Sequence, residues 1–204
     1  MKAVPNSSQK DVGCRVSRRT TLKALASGLV AWPILSGPAA EAFAAVQRVG
    51  GEPKLRFLTR GQYDAIDVLA EAIIPADGHS AGGRAARVAD YVDLLLSESS
   101  PVIKTAWAEG LAALEAESTR QFGGRVARLS VHQLGRVITN ISTREAAPQT
   151  PAEEFFVVVK SATIRGYYSS EIGIHKELDY KGNQILTEFV GCTHPEHGYV
   201  LPVK

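Results

Sequence analysis

The stretch TPAEEFFVVVKSATIRGYY, residues 150–168, decides the fold class of this 204-residue chain. Its three consecutive valines at positions 157–159 are by themselves compatible with a β-strand. Thr150 and Glu153, however, form the capping box that begins many helices, and Pro151 stands at the first helical position. The stretch is also much longer than an ordinary strand, so we predict a helix.

Four more helices are predicted from the same kinds of signal. All have apolar residues at helical spacing, and all but the one at residues 88–96 also have a capping residue, a proline near the start or a glycine pair after the end. They lie at residues 59–73, 88–96, 101–122 and 130–141. The chain is therefore expected to form a single all-α domain of about five helices.

The segments between and beyond these helices are expected to be irregular. Residues 45–58 are predicted to be a short extended lead, and residues 77–84 a loop, because they are rich in Gly, Ser and Asp. The apolar spacing fades after Tyr168, so residues 169–204 are predicted to be an irregular tail. A short helix near residues 184–189 is its one expected regular element.

Residues 1–44 have the layout of a twin-arginine export signal. Arg18 and Arg19 stand directly before an apolar run at residues 22–35. That run is interrupted by Pro33, so it is too short for a membrane-spanning helix of about 20 residues. The twin-arginine route carries proteins that fold before they cross the membrane. We therefore expect a periplasmic protein that is exported by the twin-arginine translocase.

A cleavage site of the small-x-small type stands at residues 42–44, Ala-Phe-Ala. We place the cut after Ala44, which leaves residues 45–204 as the mature domain. A general secretory signal and an uncleaved anchor are the alternatives to this interpretation.

The charge balance does not indicate a nucleic-acid partner. The formal net charge is +2 at pH 7, and six of the 23 Lys and Arg lie within residues 1–44. Residues 45–204 are thus slightly acidic, whereas nucleic-acid binding needs a concentrated basic face.

Cysteine is sparse, with Cys14 in the signal and Cys192 alone in the mature domain. Disulfides persist in the compartments where exported proteins work. An unpaired Cys192 therefore suggests a bond to another chain or a free thiol. A buried, inert cysteine is the alternative.

The densest polar cluster is Cys-Thr-His-Pro-Glu-His at residues 192–197. Cys192, His194 and His197 are candidate zinc ligands, but the second ligand pair of a structural zinc site is missing. A solvated or hydrogen-bonded surface tail is the favoured interpretation. His79, in the loop at residues 77–84, is interpreted as a polar loop residue, although loops often carry functional side chains.

The pair Tyr167 and Tyr168, near a helix end, has two interpretations. Both rings are suited to the core, but tyrosine is also favoured at protein interfaces. No Gly-x-Gly-x-x-Gly, Gly-x-Ser-x-Gly or Cys-x-x-Cys-His motif is present in the sequence. An exported helical chain without its own catalytic or cofactor motif is typical of a companion subunit.

Four stretches carry a resemblance to a known family. Residues 69–77 (LAEAIIPAD) and 88–93 (VADYVD) resemble the gluconate 2-dehydrogenase subunit 3 family. Residues 166–173 (GYYSSEIG) and 191–198 (GCTHPEHG) resemble one branch of it. The likeness extends over roughly residues 55–200.

The resemblance implies the small, non-catalytic subunit of a sugar or sugar-acid dehydrogenase complex. The large partner would be a flavoprotein of the glucose-methanol-choline type that holds FAD, and a cytochrome c subunit with haem c often completes such complexes. Arg18 and Arg19 would then export both proteins, and the complex is often membrane-associated. No cofactor is expected in this chain itself.

The resemblance also assigns contacts to the tail. Cys192 becomes a candidate for an inter-subunit disulfide, and residues 169–204 become a segment that wraps the partner, with His194 and His197 in contact. Residues 180–183 (YKGN) are only the nearest run to the family's Gly-rich ending, which leaves the substrate open. A free-standing metal enzyme built on Cys192, His194 and His197 and a periplasmic binding or structural module remain the alternatives.

Overall fold

A computed structural model describes residues 35–182, and this part of the chain is helical and contains no strand. It contains seven α-helices, a 3-10 turn at Val126–Arg128 and a π-helical turn at Ile172–Glu177. The helices are α1 (Gly37–Val49), α2 (Arg60–Ile73), α3 (Gly82–Ala85), α4 (Val88–Glu98), α5 (Pro101–Phe122), α6 (Val131–Ser142) and α7 (Pro151–Tyr168). The five predicted helices are α2, α4, α5, α6 and α7, so the all-α prediction is confirmed.

Local capping chemistry explains where these helices begin and end. Complete capping boxes are present at Thr59/Gln62, Ser130/Gln133 and Thr150/Glu153, which start α2, α6 and α7. Gly123 ends α5 in the left-handed conformation, with φ of 68°. The valines in α7 are therefore held in a helix by the residues that precede them.

The core forms around α7, which packs against α2, α4, α5 and α6. Its most extensive contact is with α5, where the Trp107 and Phe155 rings meet edge to face with centroids 5.3 Å apart. Gly110 makes this approach possible, because a Cβ there would overlap the Phe155 ring. The helix that the capping box specifies is thus the centre of the domain.

Helix α1 differs from the predicted extended lead. The prediction for residues 45–49 is wrong, since α1 runs through Val49 and the chain is irregular only from Gly50 to Thr59. Ser36 caps α1 by accepting a hydrogen bond from the Ala39 N–H at 3.4 Å. The segment forms a helix because its alanines favour helix and its apolar residues can bury against the core.

The other two segments that were predicted to be irregular contain short regular elements. The loop at residues 77–84 runs into the one-turn helix α3, and the tail that begins at residue 169 contains the π-helical turn. The predicted helix near residues 184–189 lies outside the described residues. None of the helices within residues 35–182 has the length and apolar character that crossing a membrane requires.

Candidate partner-binding segment

Exposed apolar side chains are concentrated where α7 ends and the π-helical turn follows. Residues 35–182 expose eight large apolar side chains, and four of these are Ile164, Tyr168, Leu178 and Tyr180. We call residues 164–180 the C-terminal apolar segment. Ile164 and Tyr168 are one helical turn apart on α7 and therefore share a face. The segment is a candidate interaction surface, because apolar groups grouped on a surface mark contact sites.

The two tyrosines at the end of α7 lie in different environments. Tyr168 is 42% exposed, whereas Tyr167 is 1% exposed. The Tyr167 hydroxyl is 2.8 Å from the Ser80 hydroxyl and donates to the Glu177 carboxylate at 3.4 Å. Burial raises the pKa of the Tyr167 phenol. Tyr167 therefore belongs to the core, and Tyr168 is the member of the pair with surface to offer a partner.

Hydrogen bonds from buried residues fix the π-helical turn onto the end of α7. The buried Ser170 hydroxyl donates to the Tyr167 carbonyl at 2.6 Å and accepts from the Gly173 N–H at 3.0 Å. A Cβ on Gly173 would overlap the Tyr167 carbonyl, so only glycine fits at this position. π-Helical turns are rare in proteins, and many of those that occur lie at functional sites.

Further contacts fix the chain that leaves the turn. The Glu171 N–H donates to Gln47 Oε1 of α1 at 2.8 Å. The Tyr180 N–H donates to the Ile174 carbonyl at 3.0 Å, and the Tyr180 carbonyl is 2.9 Å from His175 Nδ1. Leu178 and Tyr180 therefore project from a hydrogen-bonded scaffold rather than from an unsupported loop.

The loop between α2 and α3 rests on the Glu71 carboxylate. This carboxylate accepts the Ala76 N–H at 3.2 Å and the Arg84 N–H at 3.0 Å. A Cβ on Gly82 would come within 2.7 Å of the same carboxylate, and φ there is 85°. The conformation that brings Ser80 to Tyr167 thus depends on an acid in α2 and on the glycine that begins α3.

Within this loop, Asp77 closes a small turn. Its Oδ1 accepts the N–H groups of His79 and Ser80, each at 2.7 Å, and these bonds lower the pKa of the Asp77 carboxyl. The His79 side chain is exposed. Its placement agrees with the interpretation of His79 as a polar loop residue.

Two acids inside α4 are the polar residues that apolar spacing does not predict. Asp93 is 3% exposed and accepts the N–H groups of Arg56, Phe57 and Leu58 at 2.7, 3.0 and 2.7 Å. This carboxylate organises the irregular approach to α2. In the sequence, the only sign of this role is that the two acids interrupt an otherwise apolar run from Val88 to Leu96.

Asp90 is the second buried acid, and it holds a different part of the chain. It accepts the Tyr63 hydroxyl at 2.8 Å and pairs with the Arg87 guanidinium at 2.9 Å. The same guanidinium donates to the Gly51 carbonyl at 3.0 Å. Burial, followed by the hydrogen bond to Asp90, raises the pKa of the Tyr63 phenol. Both acids of α4 are therefore engaged in holding neighbouring segments.

Residues 35–182 contain no group of three or more His, Cys, Asp or Glu placed to hold a metal ion. An open depression of about 180 Å³ lies beside α1 and the π-helical turn, lined by Gln47, Ala85, Ala86, Glu171, Ile172 and Lys176. It is smaller than the roughly 300–1,000 Å³ of typical small-molecule sites.

The remaining predicted positions lie outside the described residues. These are Arg18 and Arg19 of the export signal and Cys192, His194 and His197 of the tail. Their predicted roles stay predictions.

Comparison with known proteins gives one match. The sequence model of the family described as gluconate 2-dehydrogenase subunit 3 matches residues 60–184, which is more than half of the chain. No curated protein and no solved structure matches significantly. The matched region begins at α2 and includes the buried acids of α4 and the whole C-terminal apolar segment.

Proposed function

Since the chain belongs to the gluconate 2-dehydrogenase subunit 3 family, we propose that it is a non-catalytic small subunit that exports and stabilises a flavin-dependent dehydrogenase. The family name places the chain among the subunits of dehydrogenase complexes. The finer proposal is that the large subunit is of the glucose-methanol-choline type, acts on a sugar or sugar acid and carries FAD. A cytochrome c subunit with haem c would accept the electrons.

The C-terminal apolar segment is the observation that supports a docking role. Its four large apolar side chains are between 40% and 58% exposed, whereas most large apolar side chains of the domain are buried in the core. They are Ile164, Tyr168, Leu178 and Tyr180. Their backbone is held in place by the Ser170 and Gly173 contacts. Preformed apolar surfaces of this kind bind with a small ordering cost, which suits a permanent subunit interface.

The acids of the fold support the same proposal from another direction. Asp90, Asp93 and Glu71 are each committed to hydrogen bonds that hold the chain's own backbone or side chains. A general acid or base needs to reach a substrate proton. These three carboxylates instead serve the fold that presents the docking segment.

The remaining parts of the proposal concern residues that lie mostly outside the described range. Arg18 and Arg19 would direct the complex to the twin-arginine translocase and the periplasm, where it would associate with the membrane through its other subunits. Cys192 would form a disulfide to the large subunit, and residues 169–204 would wrap around it with His194 and His197 in contact.

Export of both proteins tests the proposal directly. The proposal expects a flavoprotein gene beside the gene of this chain; the two proteins are co-expressed, and both are followed in cytoplasmic and periplasmic fractions. Arg18→Lys combined with Arg19→Lys should leave both proteins in the cytoplasm, because the signal depends on the arginine pair. Arg15→Lys, a basic residue outside the pair, is the matched control and should leave export unchanged.

The same preparations test the complex. The small subunit purified from the periplasm should bring a protein with a flavin absorbance spectrum, and Cys192→Ser should remove any reduction-sensitive band that joins the two chains. Normal export of the flavoprotein with the double Lys variant, or purification of the small subunit without a flavoprotein, would contradict the proposal.

A further inference from the structure

Helix α1 is packed into the domain along one apolar stripe. Leu35, Ala39 and Phe43 lie four residues apart and are 9%, 1% and 3% exposed. The Phe43 ring meets the Tyr91 ring of α4 edge to face, with centroids 5.4 Å apart. An aromatic contact of this kind adds stability beyond the burial of the two rings. The stripe continues the hydrophobic core rather than covering it loosely.

Polar contacts hold α1 at both of its ends. At the start, the Ser36 hydroxyl donates to the Glu98 carboxylate of α4 at 2.9 Å. Near the end, the Gln47 side-chain amide donates to the Ala86 carbonyl at 3.5 Å and accepts the Glu171 N–H at 2.8 Å. α1 is therefore fastened to three separate parts of the domain.

The cleavage site predicted after Ala44 lies inside this helix. α1 has 13 residues, and Ala44 is in its middle, directly after the buried Phe43. A cut there would separate Phe43 from Gln47 and leave residues 45–49, which are too few to stay helical alone. It would also uncover the edge of Tyr91 and remove Leu35 and Ala39 from the core.

A peptidase would also have to open the helix before it could cut. Peptide-recognising proteins commonly bind a chain in extended form through its backbone hydrogen-bonding groups, whereas in α1 these groups are already paired. The twin-arginine route delivers proteins that are already folded. α1 would thus be closed and packed when the exported domain first meets a peptidase.

We propose that residues 35–49 are a permanent part of the exported domain, and that any removal of the signal cuts the chain before Leu35. This inference rests on the proposed export through the twin-arginine route. The Ala-Phe-Ala pattern at residues 42–44 then has a structural origin. Ala42 packs against the core beside Phe43, and small residues there let α1 lie close to its neighbours.

Peptide mapping of the exported protein tests the inference. The full chain is co-expressed with its flavoprotein, purified from the periplasmic and membrane fractions, and digested with trypsin, which cuts after Lys23 and Arg48. A chain that keeps α1 gives a peptide that ends at Arg48, starts at or before Leu35 and crosses the bond between Ala44 and Ala45. This peptide is expected at close to one copy per exported chain.

Two results would overturn claims at different levels. An exported chain that starts at Ala45, or anywhere from residue 36 to 49, overturns the inference and leaves the proposed export intact. A chain that is never exported overturns the proposed function, and with it the inference that depends on it.

Substitutions in the full chain provide a second measurement. Ala44→Gln places a large residue before the predicted cut while preserving helix propensity, so the exported protein should change in mass by the substitution alone. Accumulation of a longer precursor with this variant would show that the cut after Ala44 is used.

Phe43→Ala tests the packing of α1 itself. The melting temperature of the full chain should fall by roughly 5–15 °C, since a buried aromatic ring is removed. Val49→Ala is the matched control in the same helix, because Val49 is 85% exposed, and it should leave the melting temperature unchanged. An unchanged melting temperature for Phe43→Ala would overturn the inference, because α1 would then contribute nothing to the fold.

Discussion

Helix α4 and the C-terminal apolar segment reverse the usual distribution of polar and apolar residues. In α4, Asp90 and Asp93 are buried among apolar side chains, and each is bound by groups from elsewhere in the chain. In the C-terminal apolar segment, Tyr168 and Leu178 lie on the surface. Buried charge is tolerated only where it is paired, and exposed apolar surface lowers solubility. The first region builds the domain, and we propose that the second is kept for a partner.

The largest effect that would test this comparison is expected at Asp93. Asp93→Ala leaves three backbone N–H groups of residues 56–58 without their acceptor. The free energy of unfolding should fall by about 3 kcal/mol, because hydrogen bonds to a charged group are worth about 1.5–3 kcal/mol each and two of the donors regain water. Urea unfolding followed by circular dichroism measures the change.

Asp64→Ala is the matched control for Asp93. Asp64 pairs with Arg60 on the surface, where it is 42% exposed, and such pairs contribute at most about 1 kcal/mol. Equal losses for the two variants would show that the buried acid does not organise the chain, and the contrast between the two regions would fail.

A smaller effect, on a different quantity, is expected at Tyr168. Tyr168→Glu should weaken binding to the proposed flavoprotein by about 2 kcal/mol, roughly 30-fold. It should lower the free energy of unfolding by only about 1 kcal/mol, from the loss of the edge-to-face contact with Tyr167. Titration of the purified flavoprotein with the small subunit measures the affinity. Val131→Glu is the control, since Val131 is 91% exposed on α6, away from the segment. If the two variants bind alike, the segment is not the interface.

A substitution at Gly173 is expected to change both the free energy of unfolding and the affinity for the flavoprotein. Gly173→Ala places a methyl group where the Tyr167 carbonyl stands, so the π-helical turn must shift. We expect a loss of about 1–2 kcal/mol in the free energy of unfolding, by analogy with other overpacking substitutions, and weaker flavoprotein binding, because Leu178 and Tyr180 follow the turn. Gly135→Ala is the control, since no atom lies within 4 Å of a Cβ at that position. Unchanged binding with reduced stability would separate the turn from the interface.

The smallest effect is expected from pH, at the start of the helix that carries the segment. Arg144 and the Gln149 and Thr150 N–H groups lower the pKa of the Glu153 carboxyl. A carboxyl with a lowered pKa in the folded state stabilises the fold above its unfolded pKa, near 4.3, and loses this contribution as the pH falls further. Glu153→Gln should therefore be less stable than the wild type at pH 7, and the difference should shrink towards pH 3. Urea midpoints at both pH values measure this, and a constant difference would contradict the assignment.

The helices that begin with capping boxes could be predicted from the sequence, and helix α1 was missed although Ser36 and Pro38 give it a local start signal. The boxes at Thr150 and Ser130 act within three residues, so their effect is visible in a short stretch. α1 also has the alanine-rich composition of an export signal, and its packing against Tyr91 is what shows that it belongs to the core. An alanine-rich composition fits both an export signal and a packed helix, so composition alone does not place the boundary between them.

The candidate site shows the same limit. The tyrosine pair could be identified as an interface candidate, but its division into a core member and a surface member depends on Ser80, 87 positions earlier in the chain. The acids of α4 bind groups 27 to 37 positions away. Contacts over such separations arise from the packing of helices and leave no local pattern.

In the proposed export, the Gln47 side chain would have a mechanical consequence. It joins α1, which follows the leader, to Glu171 at the beginning of the π-helical turn. If the proposed export pulls on residues before Leu35, the load would enter α1 and spread to α4 through Ser36 and Phe43 and to the π-helical turn through Gln47.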